Sequence, residues 1–142
     1  MTPTEIVKLL DLKPHPEGGH YRETWRADAE AGERASGTAI YYLLAAGETS
    51  RWHRIDADEM WHWYGGGPLR LSLSQNGRDT AIRVLGPDLN KGEQPQIIVP
   101  RLHWQMAEPL GAWTLAGCTV SPGFQFSGFE MAPADFSLRS EG

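Results

Sequence analysis

The stretch from Trp52 to Tyr64 gathers the side chains best suited to chemistry: His53, Glu59 and His62, set among Trp52, Trp61, Trp63 and Tyr64. An imidazole beside a carboxylate in an aromatic pocket has a pKa near neutrality, which suits proton transfer. Trp52 to Ile55 and Glu59 to Tyr64 read as two short strands, joined by a turn over Ile55-Asp56-Ala57-Asp58 because Asp tolerates tight backbone conformations. Gly65, Gly66, Gly67 and Pro68 end the second run. A hairpin is therefore expected, with His53 and Glu59 face to face. Strand alternation puts Trp61 and Trp63 on the Glu59 face, and sends Met60, His62 and Tyr64 to the other, where a subunit interface is one use for them.

A framework of short strands must hold that pair. The 142 residues include 16 Gly and 10 Pro, and turn residues at this density between short apolar runs indicate an all-β domain. Thr2-Pro3-Thr4-Glu5 is a helix start, with a Thr cap, an early Pro and a Glu three residues after the cap. Ile6, Leu9 and Leu10 then share one face, predicting about three turns that end before Pro14 and cover one end of a sheet. Pro14 to Gly19 reads as a turn-rich connector. His20 to Arg26 alternates as a half-buried strand, and Ala27 to Ser36 as an exposed, mobile loop. Gly37 to Ala46 is a buried strand. Leu69 to Ser74 and Thr80 to Leu85 flank the Asn76-Gly77 turn signal. Further strands are expected over Gln96 to Val99, Trp104 to Ala107, Leu110 to Val120 and Phe126 to Met131, with a tail from Pro133. The chain reads as one domain over 1–142, with a helix within 1–13 and a barrel over 18–132.

Charge narrows the function. The net charge is −5 with the two signs interspersed, so no basic stripe invites nucleic acid. No apolar run is long enough to cross a bilayer, and the first residues do not read as a secretory signal. The one cysteine, Cys118, sits in an apolar run and is expected to be a buried, inert thiol; with no second cysteine to pair, a cytoplasmic location is expected.

Gly47, His53, Glu59 and Gly66 resemble the first motif of the cupin superfamily, with Ile55 in place of its second His. Pro100-Arg101-Leu102 resembles the turn of the second motif, with Gln105 where a third His is expected. More narrowly, PHPEGGHYRETWR, SRWHRIDADEMWHWYGGGPLRL and GCTVSPGFQFSGFEMA are similar to blocks of an uncharacterised cupin-5 type family. That resemblance implies a double-stranded β-helix, or jelly-roll barrel, with a central polar pocket and pairing as a homodimer. Relatives by fold include deoxysugar 3,5-epimerases and metal-dependent isomerases and dioxygenases. A metal (Fe, Mn, Ni or Zn) would be held by His53, Glu59 and Gln105, with His20 or His103 as substitutes. Ile55 offers no donor and Gln is a weak one, so no cofactor is assured. An epimerase would use His53 as base, Glu59 as its orienting carboxylate and Tyr21, Tyr41 or Tyr42 as acid. The leading expectation is a pocket that binds a small polar molecule, with or without catalysis. His53 and Glu59 lie at its centre, and Tyr42, Trp61, Gln105 and Arg22 are candidate ligand contacts.

Overall fold

The computed structural model describes residues 1–133, 136, 139 and 140. Helix α1 (Pro3–Leu10) leads into twelve strands: β1 (Lys13–Pro14), β2 (His20–Arg26), β3 (Thr38–Ala45), β4 (Ser50–Ile55), β5 (Asp58–Gly66), β6 (Leu69–Ser74), β7 (Asp79–Leu85), β8 (Gln96–Val99), β9 (Trp104–Pro109), β10 (Trp113–Ser121), β11 (Phe129–Met131) and β12 (Arg139–Ser140). They form two six-stranded sheets, ordered β1-β2-β3-β10-β5-β8 and β11-β4-β9-β6-β7-β12. All pairings are antiparallel except β12 with β7. The expected all-β jelly roll is the observed architecture.

The core lies between the sheets, where Tyr42, Leu44, Trp61, Leu69, Leu71, Leu85, Val99 and Cys118 are buried together. Alternation sends the intervening residues of β3 and β10 outward. There Tyr41, Leu43, Trp113 and Leu115 meet Ile6, Val7, Leu10 and Leu12. Helix α1 thus covers the outer face of the first sheet. Its capping box is present, with Thr2 and Glu5 bonded reciprocally, but it is shorter than expected. Leu9 is 68% exposed, and Leu12 beyond the helix takes its place in the core. The helix stops because Asp11 takes a left-handed conformation.

The expected β4–β5 hairpin does not form. β4 pairs with β9 and β11, whereas β5 pairs with β10 and β8, so the two strands lie in opposite sheets. The Asp56-Ala57 link carries the chain across the barrel and is tied down on the way. Arg34 grips Asp56 through two hydrogen bonds of 2.8 and 3.0 Å, and Asp58 Oδ1 accepts from the Arg101 N–H. The Asn76-Gly77 hairpin does form, with Leu69 opposite Leu85.

The Ala27–Ser36 loop is exposed over most of its length but anchored at its end, where Ala35 is buried. Arg34 Nε donates to the Gly123 carbonyl, and the Gly123 N–H to that of Ala35. The tail expected from Pro133 lies largely outside the described residues; within it, Arg139–Ser140 pairs with Asp79–Thr80. Among the described residues no helix is long and apolar enough to cross a membrane.

Candidate functional site

His53 and Glu59 reach one cavity from opposite walls. His53 points inward from β4, directly across from Gln105 on β9. Glu59 points inward from β5, with Trp61 two residues on and Cys118 opposite Trp61 on β10. His53 and Gln105 are 2% and 0% exposed. The cavity is lined by His15, Glu17, Tyr21, Thr38, Ile40, His53, Ile55, Glu59, Val120, Phe124 and Phe129. It measures about 30 Å³, room for about one or two waters. A far larger depression of about 710 Å³ lies between β7 and β8, lined in part by Asn76, Asp79, Arg83, Gln96 and His103. It is an open surface cleft without a buried titratable group, so it is not where the chemistry concentrates.

The partner of His53 is Glu17, which the sequence reading passed over as part of a connector. Its Oε2 stands 2.9 Å from His53 Nε2, and its Oε1 accepts from Ser50 Oγ at 2.9 Å. The loop that carries it is fixed at several points. The Arg51 N–H donates to the Glu17 carbonyl, the Tyr42 hydroxyl to the Gly18 carbonyl, and the His15 N–H to the Gly19 carbonyl. Gly18 has φ of +115°, and a Cβ there would stand 1.9 Å from the Thr49 carbonyl oxygen. Only glycine lets the loop lie this close to β4. The signal in the sequence was Glu17-Gly18-Gly19 itself: a carboxylate immediately before glycines that permit close approach.

Hydrogen-bond polarity fixes the protons. His53 Nδ1 lies 2.7 Å from the Arg51 carbonyl, which only accepts, so Nδ1 carries a hydrogen. Nε2 then faces the Glu17 carboxylate, and the favoured state is an imidazolium–carboxylate pair. Burial works against both charges, but the pairing prevails. The Glu17 carboxyl is held down to about 2, chiefly by His53, and His53 is held up to about 9, chiefly by Glu17. Both ring nitrogens of His53 are therefore committed, and it has no free lone pair for a substrate proton. His15 differs: its Nδ1 accepts from the Glu17 N–H at 3.1 Å, and burial lowers its pKa, so the ring is neutral with its hydrogen on Nε2.

Glu59 is held by a second chain. Trp61 Nε1 can only donate, and it does so to Gln105 Oε1 at 3.0 Å. This turns the Gln105 amide so that its Nε2 donates to Glu59 Oε1 at 2.7 Å. Burial raises the Glu59 pKa and the charge of Glu17 adds to it, while His53 and Gln105 moderate the rise. Burial likewise pushes up Tyr42 and Cys118.

A cupin metal does not fit these donors. Ile55 is apolar, the Gln105 oxygen is engaged by Trp61, and its amide hydrogens face Glu59. Neither nitrogen of His53 is free, and the neutral His15 presents an N–H. Among the described residues no three His, Cys, Asp or Glu side chains are arranged to hold a metal. The proposed substitutes are elsewhere: His20 lies 3.9 Å from Glu48, and His103 lines the outer cleft.

The remaining candidates are dispersed. Tyr42 and Trp61 are buried and stacked, with centroids 5.7 Å apart, and form the packed floor behind the cavity. Tyr21 lines the cavity, whereas Tyr41 packs under α1. Arg22 is exposed and outside the cavity, where its Nη1 donates to the Leu10 carbonyl at the end of α1. His62 bonds Thr119 Oγ1 at 3.0 Å on the outer face, and Tyr64 there is 52% exposed.

Comparison with known proteins is consistent with this architecture. A family model described as "Cupin superfamily (DUF985)" matches residues 4–132. A protein from Shewanella oneidensis of known crystal structure is 36% identical, with a TM-score of 0.88 over 93% of this chain and 85% of that one. A hypothetical protein from Leishmania major is 30% identical, with a TM-score of 0.83 over 93% and 88%. Oxalate decarboxylase from Bacillus subtilis, described as having Mn(II) centres, shares the fold at 14% identity. A single-substitution variant of that enzyme superposes with a TM-score of 0.66 over 87% of this chain and 31% of that one. No curated protein matches the sequence.

Proposed function

The chain belongs to the DUF985 family of the cupin superfamily, and we propose that it binds a small polar molecule in the barrel cavity, with Glu59 as the group that meets it. One observation carries this reading. Glu59 is buried, lines the cavity, and has its carboxyl oriented through Gln105 and Trp61, with no ionic partner of its own among the described residues. A carboxyl fixed in this way costs stability unless a ligand uses it. His53 and Glu17 form the rigid polar wall beside it, and Tyr21, Phe124 and Phe129 supply apolar faces. The binding role passes from Arg22, Tyr42 and Gln105 to residues that reach the cavity; Gln105 positions Glu59.

A second reading is favoured by the raised Glu59 pKa. A carboxyl whose hold on its proton is strengthened by burial is suited to general acid–base catalysis. In an isomerase or epimerase on this scaffold Glu59, in place of His53, would move the proton, and His53 would hold charge. A thermal-shift screen of small polyols, acids, amides and amines on wild type and Glu59→Gln tests both. A stabilising compound that Glu59→Gln no longer recognises supports binding; turnover of that compound, lost in the same variant, supports catalysis. A hit equally effective on both proteins removes Glu59 from either role.

The proposed homodimer pairs through the outer face of β5 and β8, beside the part of the first sheet that α1 covers, where Tyr64 and Ile98 are 52% and 47% exposed. A monomeric mass at micromolar concentration would remove it.

A further inference from the structure

We infer that the ligand is a small ammonium ion, held by the Glu59 carboxylate inside an aromatic cage of Tyr21, Phe124 and Phe129. This inference rests on the cavity being a binding site and adds the chemical class of its occupant.

The charge inventory of the cavity points this way. Its eleven lining residues include no Lys or Arg. Among the described residues the one cation there, His53, is consumed by Glu17 at 2.9 Å and by the Arg51 carbonyl at 2.7 Å. An anionic ligand would find no free positive charge and would face two carboxyl groups. Glu59 Oε1 accepts a hydrogen bond from the Gln105 amide, and the Cys118 thiol lies against the same carboxyl. The charged and titratable groups around it are His53 from β4, Glu17 from the β1–β2 loop and Cys118 from β10. The first two neutralise one another and the third is a neutral thiol. A carboxylate here lacks one counter-charge, and a cation entering the cavity supplies it.

The walls suit the same occupant. Phe129 meets Phe124 at 6.1 Å and 72°, so two rings set at a steep angle to one another line the cavity. Phe129 already stacks on the imidazolium of His53, with centroids 5.4 Å apart. Tyr21 closes another side, edge-on to the neutral His15 at 4.4 Å. Aromatic faces attract cations through their quadrupole, and more strongly where water is excluded. The volume, about 30 Å³, limits the occupant to a few heavy atoms. Methylammonium meets that limit; tetramethylammonium exceeds it.

The experiment is an NMR titration of the full chain with methylammonium chloride, against sodium acetate and acetamide at matched ionic strength, with potassium chloride as the blank. For so small a ligand the dissociation constant should be on the order of 10 mM. The expected result is saturable shifts of the Tyr21, Phe124 and Phe129 resonances with methylammonium alone, lost in Glu59→Gln. Phe129→Leu keeps the carboxyl and thins the cage, so it should weaken binding roughly 2- to 30-fold, the range of a cation–π contact; this variant carries the test if Glu59→Gln does not fold. Tighter binding of acetate or acetamide overturns the ammonium class and leaves the cavity as a binding site. Equal methylammonium binding by wild type and both variants overturns the assignment to this cavity. No saturable shift with any of the three compounds overturns both readings.

Discussion

His53 Nε2 and Glu17 Oε2 are 2.9 Å apart, with both side chains about 95% buried, and the two residues come from segments 36 positions apart in the chain. Each is also held from behind, His53 by the Arg51 carbonyl and Glu17 by Ser50. The pair closes one wall of the barrel, and its energetics are those of a desolvated ion pair. Such a pair is weak evidence for net stabilisation, but breaking it leaves an uncompensated charge.

His53→Gln should therefore destabilise the fold by about 3–5 kcal/mol by stranding the Glu17 carboxylate. Glu17→Gln should cost a comparable amount. The double variant should recover much of the loss, and chemical denaturation of all four proteins measures the coupling. Additive losses would mean that the pair carries no interaction energy.

The pH dependence follows from the same pair. Glu17, held down to about 2, contributes stability above its unfolded value near 4.5 and loses it as pH falls through about 2. His53, held up to about 9, contributes fully below its unfolded value near 6.5 and loses that contribution as pH rises through about 9. Glu59 is shifted upward, so it adds to the loss as pH climbs from about 4.5 through its folded value. The pair's contribution should be greatest between about pH 4.5 and 6.5 and fall from pH 6.5 to 9. The alkaline slope should be shallower in the His53→Gln, Glu17→Gln double variant. Thermal midpoints across pH 3 to 10, read at roughly one-unit steps, check this.

Gln105 is expected to matter through its two bonds rather than its volume. Gln105→Leu leaves the Trp61 N–H and one oxygen of Glu59 without partners. The cost should be about 1–3 kcal/mol for each buried group left unpaired. Pairing it with Trp61→Phe removes one of the stranded groups and should restore part of the loss. A denaturation series on the three variants reads this directly.

The donor arrangement also makes a prediction about metal. Protein purified without an affinity tag or added metal should contain far less than one equivalent of Fe, Mn, Ni or Zn. Ile55→His with Gln105→His, which adds two imidazoles beside His53 and Glu59, should raise metal uptake. Elemental analysis of both proteins measures it. One equivalent in wild type, lost in His53→Ala, would show that His53 exchanges Glu17 for a metal.

Much of the framework was legible in the sequence because it depends on local rules. Period-two alternation marked Leu69 to Ser74 and Thr80 to Leu85, Asn76-Gly77 joined them, and Thr2 with Glu5 started the helix. Alternation also placed Glu59 and Trp61 on one face and His62 on the other, since that depends only on strand geometry. The order of the motif blocks was enough to give the barrel and the family.

The contents of the site depended on which segments fold against each other. That β4 and β5 lie in opposite sheets, so that His53 and Glu59 meet across the barrel, is a matter of long-range pairing that no local spacing encodes. The same holds for Glu17: a connector by composition, it becomes the partner of His53 because Gly18 lets its loop lie against the start of β4 and Gly19 lets it lie against β3. Sequence set the residue types and their parity. Only the tertiary structure decided the proton positions, because these follow from which groups can donate and which can only accept once the chain has brought them within 3 Å.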